Sequence, residues 1–167
     1  MVTKHVKFMV GIPAMIIIQA IFFFLAFDTR LSVNSYTIAT GAVTEPVKLA
    51  LVTDLHSCYH GNAQKELVNA VLREEPDVIL FGGDIFDDAI PPENTIVFLQ
   101  GVAGKAPCYY VSGNHEFWSG QADTFKDILI SFGVKILEGT WEDLEIRGEK
   151  IRLCGIDDPD ADRYRSR

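Results

Sequence analysis

Three apolar runs, each closed by a polar cluster, recur along this chain at a spacing of thirty residues. Val47 to Thr53 leads to Asp54-Leu55-His56. Asp77 to Phe81 leads to Gly82-Gly83-Asp84-Ile85-Phe86-Asp87-Asp88. Cys108 to Val111 leads to Gly113-Asn114-His115-Glu116. Asp54, Asp84 and Asn114 mark the period. About thirty residues is one β-α-β unit, so the pattern confines the chain to an α/β fold whose clusters meet at one edge of a parallel sheet. That carboxyl edge is where open α/β sheets bind ligands.

The segments between the runs support this reading. Asn62 to Glu75 places Leu67, Val68, Val71 and Leu72 at helical spacing, with Asn62 suited to the N-cap and Pro76 as a stop. Pro92 to Val102 and Gln121 to Phe132 read as further helices, and Val134 to Leu137 as a strand. Leu144 to Ile146 and Ile151 to Cys154 read as a hairpin. Tyr36 to Thr40 reads as a short edge strand, followed by a turn over Gly41 to Pro46.

The polar clusters suit a hard or borderline divalent ion. Carboxylate, imidazole and amide oxygen favour Mn, Fe, Zn or Mg over soft copper. Asp54 and His56, two apart past a strand end, are expected to face the same way on an extended backbone. Glycines before Asp84 and Asn114 permit sharp turns and close approach. Each piece alone is weak: D-x-H and G-G-D are common in turns, and G-N-H-E can be a capped helix start. In this order, each after an apolar strand, they read as part of a metal-ion site.

Together D-L-H, G-G-D-x-x-D and G-N-H-E resemble the first three blocks of the calcineurin-like metallophosphoesterases, over roughly residues 47 to 158. With its apolar N-terminus the chain resembles the bacterial membrane-anchored members. The resemblance implies an α/β fold of two packed sheets flanked by helices, and two divalent metal ions. It implies that Asp54 and His56 hold the first ion, that Asp84 bridges both, and that Asn114 binds the second. His115 would contact the phosphate and protonate the leaving oxygen or stabilise its charge. Glu116 would orient His115, and Asp87 would fix its own loop. Ala89 stands where the family often has glycine.

The family's later blocks supply a lone histidine and a G-H-x-H pair. The histidines here are His5, His56, His60 and His115, none beyond residue 115. Residues 47–167 are therefore expected to be a partial catalytic domain, the front of a longer enzyme. The alternatives are a membrane protein that keeps the fold as a non-catalytic binding or structural module, and a partner chain that supplies the missing histidines. Asp157 and Asp158 read as acidic turn residues before Pro159 rather than substitute ligands. Ala161 to Arg167 carries no apolar pattern to finish a sheet.

Phe8 to Phe27 is an apolar run whose one strongly polar member is Gln19. At 1.5 Å per residue it reaches about 30 Å, the thickness of a bilayer core. Lys4 and Lys7 precede it, which favours a cytoplasmic N-terminus. The run lacks an A-x-A cleavage pattern, and soluble helices are rarely apolar all round at this length. The expected layout is an anchor over 1–28, a linker and edge strand over 29–46, and the catalytic part over 47–167. The protein is then single-pass in the cell membrane, with the site on the extracytoplasmic side. Its expected partners are the membrane and a phosphate ester, lipid-linked or envelope-derived. A net charge of −8 disfavours nucleic acid, whose phosphates need lysine and arginine. The cysteine spacings match no zinc ribbon, so Cys108 and Cys154 read as buried strand residues, with Cys58 near the site.

Overall fold

Uninterrupted branched and aromatic side chains favour strands, and strands joined through helices pair in parallel. The computed structural model of the protein describes residues 15–19, 22 and 31–166. The chain divides into two units, Met1–Ser32 and Val33–Arg167. The described residues before 31 are helical and exposed. The second unit runs β1 (Leu49–Val52), α1 (Lys65–Arg73), β2 (Val78–Gly82), α2 (Glu93–Val102), β3 (Cys108–Val111), α3 (Asn114–Trp118), α4 (Ala122–Ser131), β4 (Lys135–Ile136), β5 (Trp141–Ile146), β6 (Glu149–Cys154) and α5 (Asp160–Arg165). The first four strands form one sheet in the order β1-β2-β3-β4, every pair parallel. Strands β5 and β6 pair antiparallel as a separate hairpin. This is an α/β fold with a parallel sheet and helices.

Parallel register puts paired residues on one face, and both faces here are apolar. Ile79 and Phe81 point to the helical side, where Phe81 meets Phe98 of α2 edge to face at 6.0 Å. Thr95, Phe98, Leu99 and Val102 are the buried stripe of α2, at the i, i+3, i+4, i+7 positions of one helix face. On α4 the buried Phe125 stacks on Phe86 of the loop after β2, with ring centroids 4.3 Å apart. Val78 and Tyr109 belong to the opposite face. They form a cluster with Leu137, against which Leu80, Val111 and the hairpin residues Leu144, Ile146 and Leu153 pack. The hairpin thus covers part of the parallel sheet.

Several elements differ from expectation. Residues 36–40 form no strand, and Tyr36 and Ile38 are each 86% exposed. Their β-propensity goes unused because they have no neighbouring strand. Asn62 does not cap a helix. It opens a 3-10 turn, Asn62–Gln64, and α1 starts at Lys65. Gln64 is drawn inward instead, donating to the Cys58 carbonyl at 2.8 Å and accepting from the His60 N–H. The hairpin is longer than its apolar residues indicate, and turns on Arg147-Gly148 at φ 53° and 84°. Positive φ at both central residues is the turn geometry that matches strand twist. Cys108 is buried, but Cys154 is exposed and free. Alternation along β6 turns its side chain to solvent. The tail after Asp158 is the short helix α5, whose Ala161 is buried with Phe117 and Ala122.

Among the described residues no helix is long and apolar enough to cross a membrane. Most of the run Phe8 to Phe27 lies outside the described residues.

Candidate metal centre

Asp54, Asp84 and Asn114 all lie just past the carboxyl ends of β1, β2 and β3. The first loop follows the second as though the ladder continued. Asp54 N–H donates to Gly83 O at 3.2 Å, His56 N–H to Asp84 O at 2.9 Å, and Ser57 N–H to Ile85 O at 3.1 Å. To do so the backbone leaves the extended region. Asp54, His56 and Ser57 sit at φ 54°, 48° and 52°, and Asp84 at 51°. The expected extended D-x-H is therefore corrected to a left-handed loop. Such conformations are costly for side-chain-bearing residues and persist where surrounding bonds over-determine them, often at functional sites.

The second and third loops touch backbone to backbone. A Cβ on Gly83 would lie 2.7 Å from Gly113 N, and one on Gly113 would lie 2.3 Å from Asp84 Oδ1. Only glycine fits at either place.

Glu116 fastens these loops. Its carboxylate is wholly buried and accepts from Asp84 N–H at 3.1 Å, Ile85 N–H at 2.7 Å, Phe86 N–H at 3.1 Å and Gly113 N–H at 2.9 Å. Burial raises its pKa, outweighing the lowering by the Phe86, Gly113 and Ile85 N–H bonds. The expectation was that Glu116 orients His115. The structure shows it holding backbone, because its side chain turns into the loop beneath β2. Tyr110 is buried nearby, and burial followed by the charge of Glu116 keeps its phenol well above the ordinary value.

Above this buckle the side chains converge. Ligand atoms of His56, Asp84 and His115 all lie within 4.8 Å of one another. The two imidazole rings meet edge to face at 4.4 Å. His56 Nδ1 faces Asp87 Oδ2 at 3.1 Å, and His115 Nδ1 faces Asp88 Oδ1 at 2.8 Å. Asp84 Oδ1 accepts the His115 N–H at 2.9 Å. A second group, Asp87, Asp88 and His115, meets the same distance limit. Asp54 belongs to neither group; it is exposed, with Oδ2 accepting from Thr53 Oγ1 at 2.9 Å. Asn114 is the first residue of α3, half-buried beside His115. Two imidazoles among carboxylates form a donor set that fits a borderline divalent ion. With both Nδ1 atoms engaged by carboxylates, Nε2 is the nitrogen left on each ring for an ion or a substrate oxygen.

Asp87 serves twice. Oδ1 accepts the N–H groups of Ala89 and Ile90, both at 2.8 Å, while Oδ2 meets His56. Burial raises its pKa, but the Ala89, Ile90 and His56 bonds outweigh this and leave it below the ordinary carboxylate value. Its contribution to stability is therefore present above the unfolded pKa and lost as pH falls through the lower folded one. Asp87→Ala is expected to cost about 1–2 kcal/mol in urea unfolding at pH 7. Asp87→Asn, whose amide oxygen keeps both N–H bonds, is expected to cost less than half of that. Equal losses would show that the loop bonds are not what Asp87 contributes.

Asp157 and Asp158 are occupied structurally. Asp157 accepts from Ser112 Oγ at 2.7 Å and pairs with Arg165 at 2.8 Å, and Asp158 Oδ1 accepts the Asp160 N–H at 2.8 Å. Two residues beside the centre were given no role by the sequence reading. Asp88 ends the second polar cluster but lies outside the motif G-G-D-x-x-D. Trp118 lies 4.8 Å from His115 between ring centroids, one helical turn along α3.

The profile of the calcineurin-like phosphoesterases matches residues 47–160. The chain belongs to the calcineurin-like phosphoesterase family, whose members are hydrolases acting on ester bonds. Among its relatives is the DNA double-strand break repair protein Mre11 of Methanocaldococcus jannaschii, 31% identical over 96 residues, 54% of this chain and 26% of that protein. An uncharacterized metallophosphoesterase of Helicobacter pylori is 31% identical over 117 residues, 67% of this chain and 30% of the other. A transmembrane protein with metallophosphoesterase domain from Bos taurus is 27% identical over 124 residues, 69% of this chain and 28% of the other. The chain spans 24% to 30% of the length of six such relatives, these three included.

Proposed function

We propose that this protein hydrolyses phosphate esters with divalent metal ions held at the ends of β1, β2 and β3, and that Phe8 to Phe27 anchors it in a membrane with the site on the extracytoplasmic side. The observation that carries the catalytic reading is the convergence at the carboxyl edge of the sheet of two ion ligands, His56 and Asp84, with the acid His115, their ligand atoms within 4.8 Å of one another. Family membership supports it. The anchor reading is supported by the apolar run and by relatives named as transmembrane proteins.

In this proposal Asp54, His56, Asp84 and Asn114 hold the ions. Bound there, two divalent ions would supply an attacking water of lowered pKa and charge stabilisation for the phosphoryl oxygens. Asp87 fixes the His56 ring through Nδ1 and so presents Nε2. His115, held through Nδ1 by Asp88, presents Nε2 to the leaving oxygen and donates a proton there. Glu116 keeps the loops of Asp84 and Asn114 at fixed separation. Left-handed backbone at His56 and Asp84, held by hydrogen bonds between the loops, supports a site shaped before any ion arrives.

The test uses the full chain in isolated membranes. Hydrolysis of bis(4-nitrophenyl) phosphate is expected with Mn²⁺, to resist alkaline extraction with the membranes, and to vanish on chelation. A chain that binds no Mn²⁺ in equilibrium dialysis would favour the non-catalytic alternative, whereas one that binds Mn²⁺ without cleaving the diester would fit a partial catalytic domain.

A further inference from the structure

We propose that Trp118 is the wall of a leaving-group subsite that takes a flat ring on the phosphate ester. This rests on the metal-centre reading above. Phe117 and Trp118 are neighbours on α3, and Phe117 is 4% exposed while Trp118 is 57% exposed. Burial in the core thus does not account for the indole. An exposed ring of that size is ordinarily left to rotate. Here its Nε1–H donates to Asp160 Oδ2 at 2.6 Å, which fixes one edge.

The anchor is itself held. Asp160 opens α5, whose Ala161 is buried in a cluster with Phe117, and whose Tyr164 ring meets Phe117 at 5.6 Å. Tyr164 also donates to the Gly120 carbonyl at 3.3 Å. The chain therefore uses α5 to set the angle of one surface tryptophan. That tryptophan is tilted 47° against the ring of His115, with centroids 4.8 Å apart. His115 in turn meets His56 at 4.4 Å. The indole thus continues the wall of the metal centre outward from the imidazole assigned to the leaving oxygen. In this reading a group bonded to that oxygen lies against the indole.

A fixed indole face discriminates by stacking. It favours a planar aryl or heteroaryl substituent and gives a small alkyl group little. The ring is ordered before the ligand binds, so little rotamer entropy is lost on binding. The matching ligand chemistry is a phosphate ester whose leaving group carries a planar ring, whether a simple aryl group or the base of a nucleoside.

The test is calorimetry on the full chain loaded with Mn²⁺, using phosphonates that have no ester bond to cleave. Phenylphosphonate is expected to bind about tenfold tighter than methylphosphonate. Trp118→Ala is expected to bring that ratio near one. Trp118→Phe, which keeps a ring, is expected to retain most of it, and Asp160→Ala to lower it by releasing the indole. The phosphonate analogue of AMP separates the sources: a gain for it as well points to a nucleobase, and a gain for phenylphosphonate alone to a simple aryl group. The wall is overturned if the wild-type ratio is near one. It is also overturned if the ratio survives in Trp118→Ala while all affinities, inorganic phosphate included, fall together. Failure of inorganic phosphate and both phosphonates to bind at all would overturn the metal-centre reading, and the wall with it.

Discussion

Replacing Glu116 by glutamine is expected to cost this fold about 3 kcal/mol or more, a large share of what holds a domain of this size together. The cost arises from donors rather than from the carboxylate itself. Oε1 serves Ile85 and Phe86, and Oε2 serves Asp84 and Gly113. A glutamine keeps one oxygen. In one orientation its NH₂ points at the Ile85 and Phe86 N–H groups, in the other at those of Asp84 and Gly113. Either way two buried donors face a donor, at about 1–3 kcal/mol each. Water cannot rescue them, because the side chain is wholly buried. Urea unfolding of the full chain in detergent measures the loss. Mn²⁺ affinity is expected to fall with it, since the same four bonds set the distance between the Asp84 and Asn114 loops. A midpoint unchanged from wild type would mean that the buckle is redundant and that the Gly83–Gly113 contact alone joins the loops.

Glu116 also marks where a sequence becomes hard to read. Its place in G-N-H-E is plain, but three of its four partners lie thirty or more residues earlier. The parallel sheet was legible because an apolar strand, a helix and a thirty-residue period each point to the same edge. The loops on that edge were not. Asp54, His56 and Ser57 take positive φ because their N–H groups reach the carbonyls of residues 83–85, a non-local cause that no local pattern carries. Alternation along β6 gave parity and left open which parity faces the sheet, so Cys154 was assigned to the wrong side. Tyr36 and Ile38 have strand propensity without a strand to pair with. Helix α5 is too short to show a helical period, and Asp88 and Trp118 acquire meaning only from standing next to His115.

Asp84→Asn is expected to separate the metal centre from the fold that carries it. Asp84 does two things. Its Oδ1 accepts the His115 N–H at 2.9 Å, and its charge lies within 4.8 Å of ligand atoms on two imidazoles. Asparagine keeps the first, since an amide oxygen accepts as well. It also tolerates the left-handed φ of 51° better than other residues with side chains. Unfolding without metal is therefore expected to change by less than about 1 kcal/mol. The charge is lost outright. Loss of a residue that merely orients a ligand typically weakens metal sites about 10–100-fold, so replacing the central carboxylate is expected to exceed about 100-fold. Turnover falls with it, because the phosphoryl charge is then unopposed. The stabilisation that saturating Mn²⁺ gives the wild type, about 2.7 kcal/mol at a hundred times its Kd, is expected to disappear. Asp84→Asn and Glu116→Gln then fail in opposite ways, the one folded and metal-free, the other losing the fold first. An asparagine variant that still binds Mn²⁺ at wild-type affinity would move the centre to the neighbouring group of Asp87, Asp88 and His115, the other place where these loops bring ligand atoms within 4.8 Å.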